Sequence, residues 1–236
     1  MCDECGCQAG GASSEKKVIE INKSLLDANQ RLGEKNRHHI EQMGAIAINM
    51  ISSPGAGKTT LLEATAERLS RATRFGVIEG DIETQRDADR IRAKGIPAVQ
   101  ITTGGACHLD AALVHKGIHE LEHLLGPDEL DLVFIENVGN LVCPATFYLG
   151  EHKRMVMVSV PEGSDKPAKY PRAFIGSDLF IISKTDLLPY FDFSIEEACS
   201  EAKRLNPDIK ILTLSATTGT GVDEWLEYLN KILLEK

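Results

Sequence analysis

The sequence predicts an α/β fold, a mostly parallel sheet flanked by helices and preceded by a helical N-terminal extension. Three observations predict it. Seven short apolar runs recur along most of the 236 residues, and a longer amphipathic stretch follows most of them. The first run leads into Ser52-Ser-Pro-Gly-Ala-Gly-Lys-Thr-Thr60, a glycine-rich segment that opens a helix. Strands alternating with helices bury both faces of a sheet, the condition a parallel sheet requires.

Taken in order, residues 1–14 form a cysteine-rich tail and linker. Cys2, Cys5 and Cys7 crowd its start, and the small, polar stretch Gln8 to Ser14 reads as a flexible connection. Residues 15–44 turn helical, with Val18, Ile21, Leu25, Leu32, Ile40 and Met43 at mostly three- to four-residue spacing. Gly33 marks a point where this segment divides into two helices. Residues 45–236 form the main domain. Its strands are expected at Ala45–Ile51, Phe75–Ile78, Ala98–Thr102, Leu132–Ile135, Met155–Val160, Leu179–Ile182 and Ile211–Leu214. Its helices are expected at Lys58–Ser70, Thr84–Ala93, Leu109–Leu125, Ile195–Leu205 and Val222–Leu234. Ligands of such sheets bind at the carboxyl ends of the strands.

Composition narrows the class. Hydrophobic residues make up 42% and charged residues 26%, enough for one good-sized α/β domain with an appendage. The net charge of −9 argues against a general affinity for nucleic acid or anionic membranes. No run of about 18 apolar residues offers a membrane span. The N-terminus lacks the apolar core of a secretory signal, so a cytoplasmic protein is expected. In a reducing compartment the six cysteines stay free, and the three clustered at the start are better suited to metal than to disulfides.

The segment Ser52–Thr60 is a phosphate loop. Backbone N–H groups at Gly55, Ala56, Gly57 and Thr60, with the helix start, form an anion nest. Lys58 brings a positive charge to the β/γ-phosphates and Thr59 offers a hydroxyl to Mg²⁺. Ser52 stands where the usual pattern has glycine. Acids end two later strands. Gly80-Asp81 and Glu136-Asn137-Val138-Gly139 place Asp81 and Glu136 to organise Mg²⁺ and its waters, with Asp81 also able to orient the attacking water. An acid that merely caps a helix is the competing reading of Asp81. Gly139 can turn its N–H toward a γ-phosphate. No Gln follows Gly139 and no arginine finger is assured, so turnover is expected at about 10⁻⁴ to 10⁻² per second.

Guanine is the expected base. Ser183-Lys184-Thr185-Asp186 resembles the N-K-x-D motif, in which a carboxylate accepts from both N1–H and the 2-amino group of guanine. Adenine would leave Asp186 unpaired, a loss that discriminates by roughly 10⁴-fold. Lys184 would lay its stem along the ring. Ser183 replaces the motif's Asn and offers fewer tethering hydrogen bonds. Ser215-Ala216-Thr217 resembles the S-A-K/T loop that backs the base. A surface Lys/Asp turn is the alternative.

Two metal sites are expected. Cys2-x-x-Cys5-Gly-Cys7 puts three soft donors within reach of one ion, and a free α-amine could complete a square-planar set for Ni²⁺. Residues 8–14 could carry that tail up to about 25 Å when extended. Cys107-His108 and Cys143, both beyond strand ends, form a thiolate–imidazole set for Zn²⁺ or Ni²⁺. Because Cys143 adjoins Gly139, nucleotide state could open or close it. Idle thiols, or a small buried cysteine with a surface histidine, are the competing readings. His115, His119 and His123, four residues apart, form a stripe that can bind metal weakly but is more often a solvated helix face.

These stretches together resemble the HypB family, GTPases that serve nickel delivery to NiFe-hydrogenase. The matching segments are MCDECGC, SSPGAGKTTLL, EGDIETQRDADR, TTGGACHLD, FIENVGNLVCPA, VPEGSDKP, SKTDLLPY and LSATTGTG. The resemblance implies the fold of the signal-recognition and MinD-like (SIMIBI) P-loop nucleotidases and a homodimer favoured by GTP. It also implies metal at Cys107, His108 and Cys143, and high-affinity nickel at Cys2, Cys5 and Cys7. The implied partners are the nickel-binding protein HypA and the hydrogenase large subunit. A nickel or zinc store with nucleotide as a structural feature, and a small-molecule P-loop kinase, are the other classes. The first needs no hydrolysis. The second needs an acceptor pocket, to which Ser183–Asp186 and Ser215–Thr217 do not point.

Overall fold

The computed structural model describes the backbone of residues 11–70, 72–83, 85–125 and 130–235, with side chains from residue 23 onward. Seven strands form one wholly parallel sheet. They are β1 (Ile46–Ser52), β2 (Phe75–Asp81), β3 (Ala98–Thr102), β4 (Leu132–Glu136), β5 (Lys153–Ser159), β6 (Leu179–Ser183) and β7 (Lys210–Thr213), in the order β3-β2-β4-β1-β5-β6-β7. The helices are α1 (Gly11–Gln42), α2 (Lys58–Arg68), α3 (Arg86–Ala93), α4 (Ala111–Leu125), α5 (Lys166–Lys169), α6 (Pro171–Ile175), α7 (Ile195–Leu205) and α8 (Val222–Leu234). All seven expected strands are present; six are displaced by no more than two residues at an end, and β2 runs three residues further, to Asp81 instead of Ile78.

Alternate side chains of a strand go to opposite faces, and the core divides accordingly. Ile48 and Met50 join Leu61 and Leu62 of α2, Ile91 of α3 and Trp225 of α8. On the other face Ala47 joins Ile40 of α1 and Val114 and Ile118 of α4, while Ile51 joins Phe174 of α6 and Ala198 of α7. Both faces are covered, so the strands are continuous apolar runs. The short α5 and α6 and the 3₁₀ turns at Pro144–Thr146, Val160–Glu162 and Thr185–Tyr190 carry too few turns to show a periodic signal. Among the described residues no helix is long and apolar enough to cross a membrane.

The expectation at Gly33 is corrected. The first helix runs unbroken from Gly11, within the stretch read as linker, to Gln42. Gly33 serves close packing instead: a β-carbon there would lie 2.7 Å from Tyr148 Cδ1 and 2.9 Å from the Tyr148 carbonyl. The same crossing is pinned by Asn29, whose Nδ2 donates to Tyr148 O at 2.8 Å. Asn29 Oδ1 accepts from Ala111 N at 2.8 Å, and Asp110 Oδ1 accepts from Leu113 N at 2.8 Å. The start of α4 therefore moves from the expected Leu109 to Ala111, with Asp110 as its cap.

His152 supplies a pH-sensitive tie. Its Nδ1 accepts from Ala47 N at 3.0 Å, which requires that nitrogen to be unprotonated. Burial, reinforced by Arg37, lowers its pKa below the ordinary 6.5. A lowered folded-state pKa gives stability that is present above 6.5 and lost as pH falls through the folded value. Replacing His152 with Gln should therefore flatten the acid side of the melting-temperature profile below pH 6.5, as thermal unfolding across pH 4.5–8 would record. An unchanged acid slope would assign that slope to other groups.

Candidate nucleotide and metal site

The phosphate loop lies between the carboxyl end of β1 and the first turn of α2. Gly55 (φ 74°) and Gly57 (φ 100°) take left-handed backbone conformations that a side chain would strain. Gly57 leads directly into α2, whose free N–H groups then face the loop. Lys58 Nζ donates to Ser52 Oγ at 2.9 Å and lies 3.9 Å from Glu136 Oε1. The serine at the loop's first position thus holds the lysine, an interaction glycine could not make. Thr59 Oγ1 donates to Glu136 Oε1 at 2.9 Å.

A cavity of about 380 Å³ opens over this loop, walled by Lys58, Thr59, Thr60, Asp81, Glu136, Gly139 and Lys184. Glu79 also lines it, and sequence reasoning missed this residue. Glu79 and Glu136 are register partners on β2 and β4, and both are almost fully buried. Burial first, then the Glu136 charge, pushes Glu79 from 4.5 up to about 8; burial also raises Glu136. Glu136 Oε2 is buried with no hydrogen-bond partner. Two crowded carboxylates and an orphaned oxygen, beside a threonine hydroxyl, fit a hard divalent cation such as Mg²⁺. The signal was an acid inside an otherwise apolar strand, Phe75–Asp81. Arg90 reaches the rim, but its guanidinium is engaged by Glu63 at 2.6 Å and Asp87 at 3.0 Å.

The two loops expected to bind the base lie side by side, joined by Thr185 N donating to Leu214 O, and of their expected residues Lys184 alone lines this cavity. Ser183 Oγ donates to the Ala56 carbonyl at 2.6 Å, so the shorter side chain tethers β6 to the phosphate loop after all. Lys184 adopts φ 58°, the one non-glycine residue with positive φ among the described residues. Such a conformation costs on the order of 1–3 kcal/mol and persists where the surroundings fix it. Here Thr185 N donates to Leu214 O and Leu187 N to Lys184 O. The Lys184 stem passes Gly57, where an added β-carbon would lie 3.9 Å from its Cε. Asp186 is exposed in the following turn. Ser215 is buried, its hydroxyl accepting from Thr218 N at 3.2 Å, and half-buried Ala216 follows.

The second metal set is assembled by the fold. One donor atom each from Cys107, His108 and Cys143 lie within 4.8 Å of one another. Cys107 Sγ is 3.1 Å from Cys143 Sγ and 3.8 Å from His108 Nδ1, and Phe147 stacks on the His108 ring at 4.1 Å. The bond to Cys107 chiefly, with burial, raises the Cys143 pKa. A thiol raised in this way, Cys143, gives up its proton when a metal binds it. Cys2, Cys5 and Cys7 lie outside the described residues.

Two asparagines connect this cluster to the phosphate loop, and neither was singled out in the sequence. Asn137 Oδ1 accepts from Leu109 N and from Val138 N, each at 3.0 Å, binding the Cys107–His108 loop to the end of β4. Asn140 Nδ2 donates to Cys107 O at 3.3 Å, and its Oδ1 accepts from Val142 N at 2.8 Å. Asn140 also forms a β-bridge with Ser52. Between them Gly139 presses on the phosphate loop, where a β-carbon would lie 2.7 Å from Pro54 Cα.

Fold and site together define a P-loop nucleotide-binding protein with a thiol–imidazole cluster beyond the end of β4. Residues 46–213 match the family model described as CobW/HypB/UreG, nucleotide-binding domain. The chain is 48% identical over 218 residues to hydrogenase maturation factor HypB of Azotobacter chroococcum mcd 1, covering 92% of this chain and 70% of that protein. It resembles the crystal structure of HypB from Helicobacter pylori in complex with nickel, with TM-score 0.84, 38% identity and coverage of 88% and 96%. HypB from Archaeoglobus fulgidus gives TM-score 0.80 at 41% identity, covering 88% and 100%. This chain belongs to the HypB group of the CobW/HypB/UreG family. A more distant likeness to the signal recognition particle receptor FtsY of Elizabethkingia anophelis, TM-score 0.51 at 13% identity over 93% and 81% of the two chains, shows the SIMIBI-class fold alone.

Proposed function

We propose that this chain is a GTP-hydrolysing nickel metallochaperone for NiFe-hydrogenase maturation, in which nucleotide state governs the metal cluster. The observation that carries the coupling is the Asn137 amide, which hydrogen-bonds β4's end to the backbone beside His108. GTP would lie along the phosphate loop, its base against Lys184, Asp186, Ser215 and Ala216. Thr59 and Glu136, with Asp81 and Glu79 at the cavity wall, would hold Mg²⁺, which supplies charge neutralisation at the β- and γ-phosphates. Lys58 exchanges Ser52 Oγ for phosphate oxygen. Gly139 N–H turns to the γ-phosphate, and Asp81 orients the water. Movement of Gly139 carries Asn140 and Cys143 relative to Cys107 and His108, altering the cargo site for Ni²⁺ or Zn²⁺.

In this reading Cys2, Cys5 and Cys7 hold nickel at high affinity, GTP favours a homodimer, and HypA and the hydrogenase large subunit are partners in the cytoplasm. The test is nickel-transfer kinetics to a chelating acceptor with GDP, GTP and a non-hydrolysable analogue. Transfer from a Cys2/Cys5/Cys7→Ala chain should differ between GDP and the analogue, by about 5–150-fold if the coupling is of ordinary size. Equal rates with all three nucleotides would reduce the protein to a metal store.

A further inference from the structure

A second group of metal-ligating side chains lies between α1 and α4, sharing no residue with the nucleotide cavity or the cysteine cluster. On α4, His115 and His119 stand one turn apart. The expected third member, His123, is not with them. His39 of α1 takes that place, and one ring nitrogen from each of His39, His115 and His119 lies within 4.8 Å of the others. The His39–His119 and His115–His119 ring centres are both 4.7 Å apart. Glu122, three residues beyond His119, joins them: its Oε1 is 2.9 Å from His39 Nε2 and its Oε2 is 3.5 Å from His119 Nδ1.

A neighbouring asparagine sets the chemistry of this group. Asn36 is fully buried, and its Nδ2 donates to Ala111 O at 2.8 Å and Leu149 O at 3.1 Å. Its amide orientation is thereby fixed, with Oδ1 turned to His115 Nδ1 at 2.9 Å. An amide oxygen can only accept, so His115 carries its proton on Nδ1 and leaves the Nε2 lone pair open. An outer hydrogen bond of this kind orients metal-ligating histidines. Three grouped imidazoles, with a carboxylate beside two of them and no thiolate, offer N and O donors suited to a borderline divalent cation. We propose that His39, His115, His119 and Glu122 bind a divalent transition cation of the zinc class, clamping α1 to α4.

The test uses the full chain with Cys2, Cys5, Cys7, Cys107 and Cys143 replaced by Ala, so that no thiolate site remains. Zn²⁺ titration against a competing chelator should find one site, and Zn²⁺ should raise the melting temperature. Co²⁺ in its place should show tetrahedral d–d absorption without a sulfur charge-transfer band. Adding His119→Ala, at an exposed position that leaves the core intact, should weaken Zn²⁺ by roughly 100-fold or more. His39→Asn should weaken it likewise, while His123→Ala should leave it unchanged. Absence of Zn²⁺ binding in the cysteine-substituted chain would overturn the proposal. So would indifference to His39→Asn, or a loss with His123→Ala equal to that with His119→Ala.

Discussion

Lys58→Ala is expected to lower GTP turnover by about 10²–10³-fold, the range seen when one preorganised charge-stabilising donor is removed. The effect is large because Lys58 is the cation that faces Glu136 and the phosphate loop, 3.9 Å from a carboxylate that burial already disfavours in its charged form. Without it the triphosphate loses the lysine held within the phosphate loop itself, beside the buried Glu136, and leans on Mg²⁺ and backbone N–H groups instead. Binding should therefore weaken together with turnover, and most at low Mg²⁺. Phosphate release under single-turnover conditions, alongside nucleotide titration, separates the two effects. Wild-type turnover in the variant would remove this loop from the chemistry. Ser52→Gly should act in the same direction but mildly, since it frees Lys58 from a hydrogen bond that phosphate replaces.

Much of this site is legible in the sequence because it is local. A glycine-rich turn between an apolar run and a helix specifies the phosphate nest, and Ser183–Asp186 and Ser215–Ala216 follow their strands at the expected ends. Cys107, His108 and Cys143 were legible for a related reason: in a parallel sheet every strand delivers its following loop to the same edge, so residues 36 apart converge. What the sequence hides is tertiary. Glu79 looks like an interruption of a strand until β4 sets Glu136 beside it in register. Asn137 and Asn140 are ordinary loop asparagines until their hydrogen-bond partners are seen. The helical spacing of His115, His119 and His123 describes one helix alone, and only the packing of α1 on α4 selects His39 over His123. Gly33 carries the same lesson, since a glycine in a helix signals a break or a close contact and only the contact with Tyr148 decides between them.

The second large effect is expected at the joint between nucleotide and metal. In a chain lacking Cys2, Cys5 and Cys7, Cys143→Ala removes one of two thiolates and should weaken Ni²⁺ at the remaining cluster by about 100-fold or more, the upper end of what lost outer-shell partners alone cost. Asn137→Ala should behave differently. All three ligands remain, so affinity with GDP changes little, but the tie from β4 to Leu109 N is cut. Leaving buried N–H groups unsatisfied costs about 1–3 kcal/mol, so the variant should also melt earlier. Asn137→Asp keeps an acceptor for Leu109 N and Val138 N, and separates lost stability from lost coupling. The decisive readout is the ratio of Ni²⁺ affinities with GDP and a non-hydrolysable GTP analogue. Coupling through Asn137 predicts a ratio near one in the Ala variant and one closer to the parent in Asp. A parent-like ratio in Asn137→Ala would move the joint to Asn140, whose bridge to Ser52 and hydrogen bond to Cys107 O form the other route between the phosphate loop and the metal.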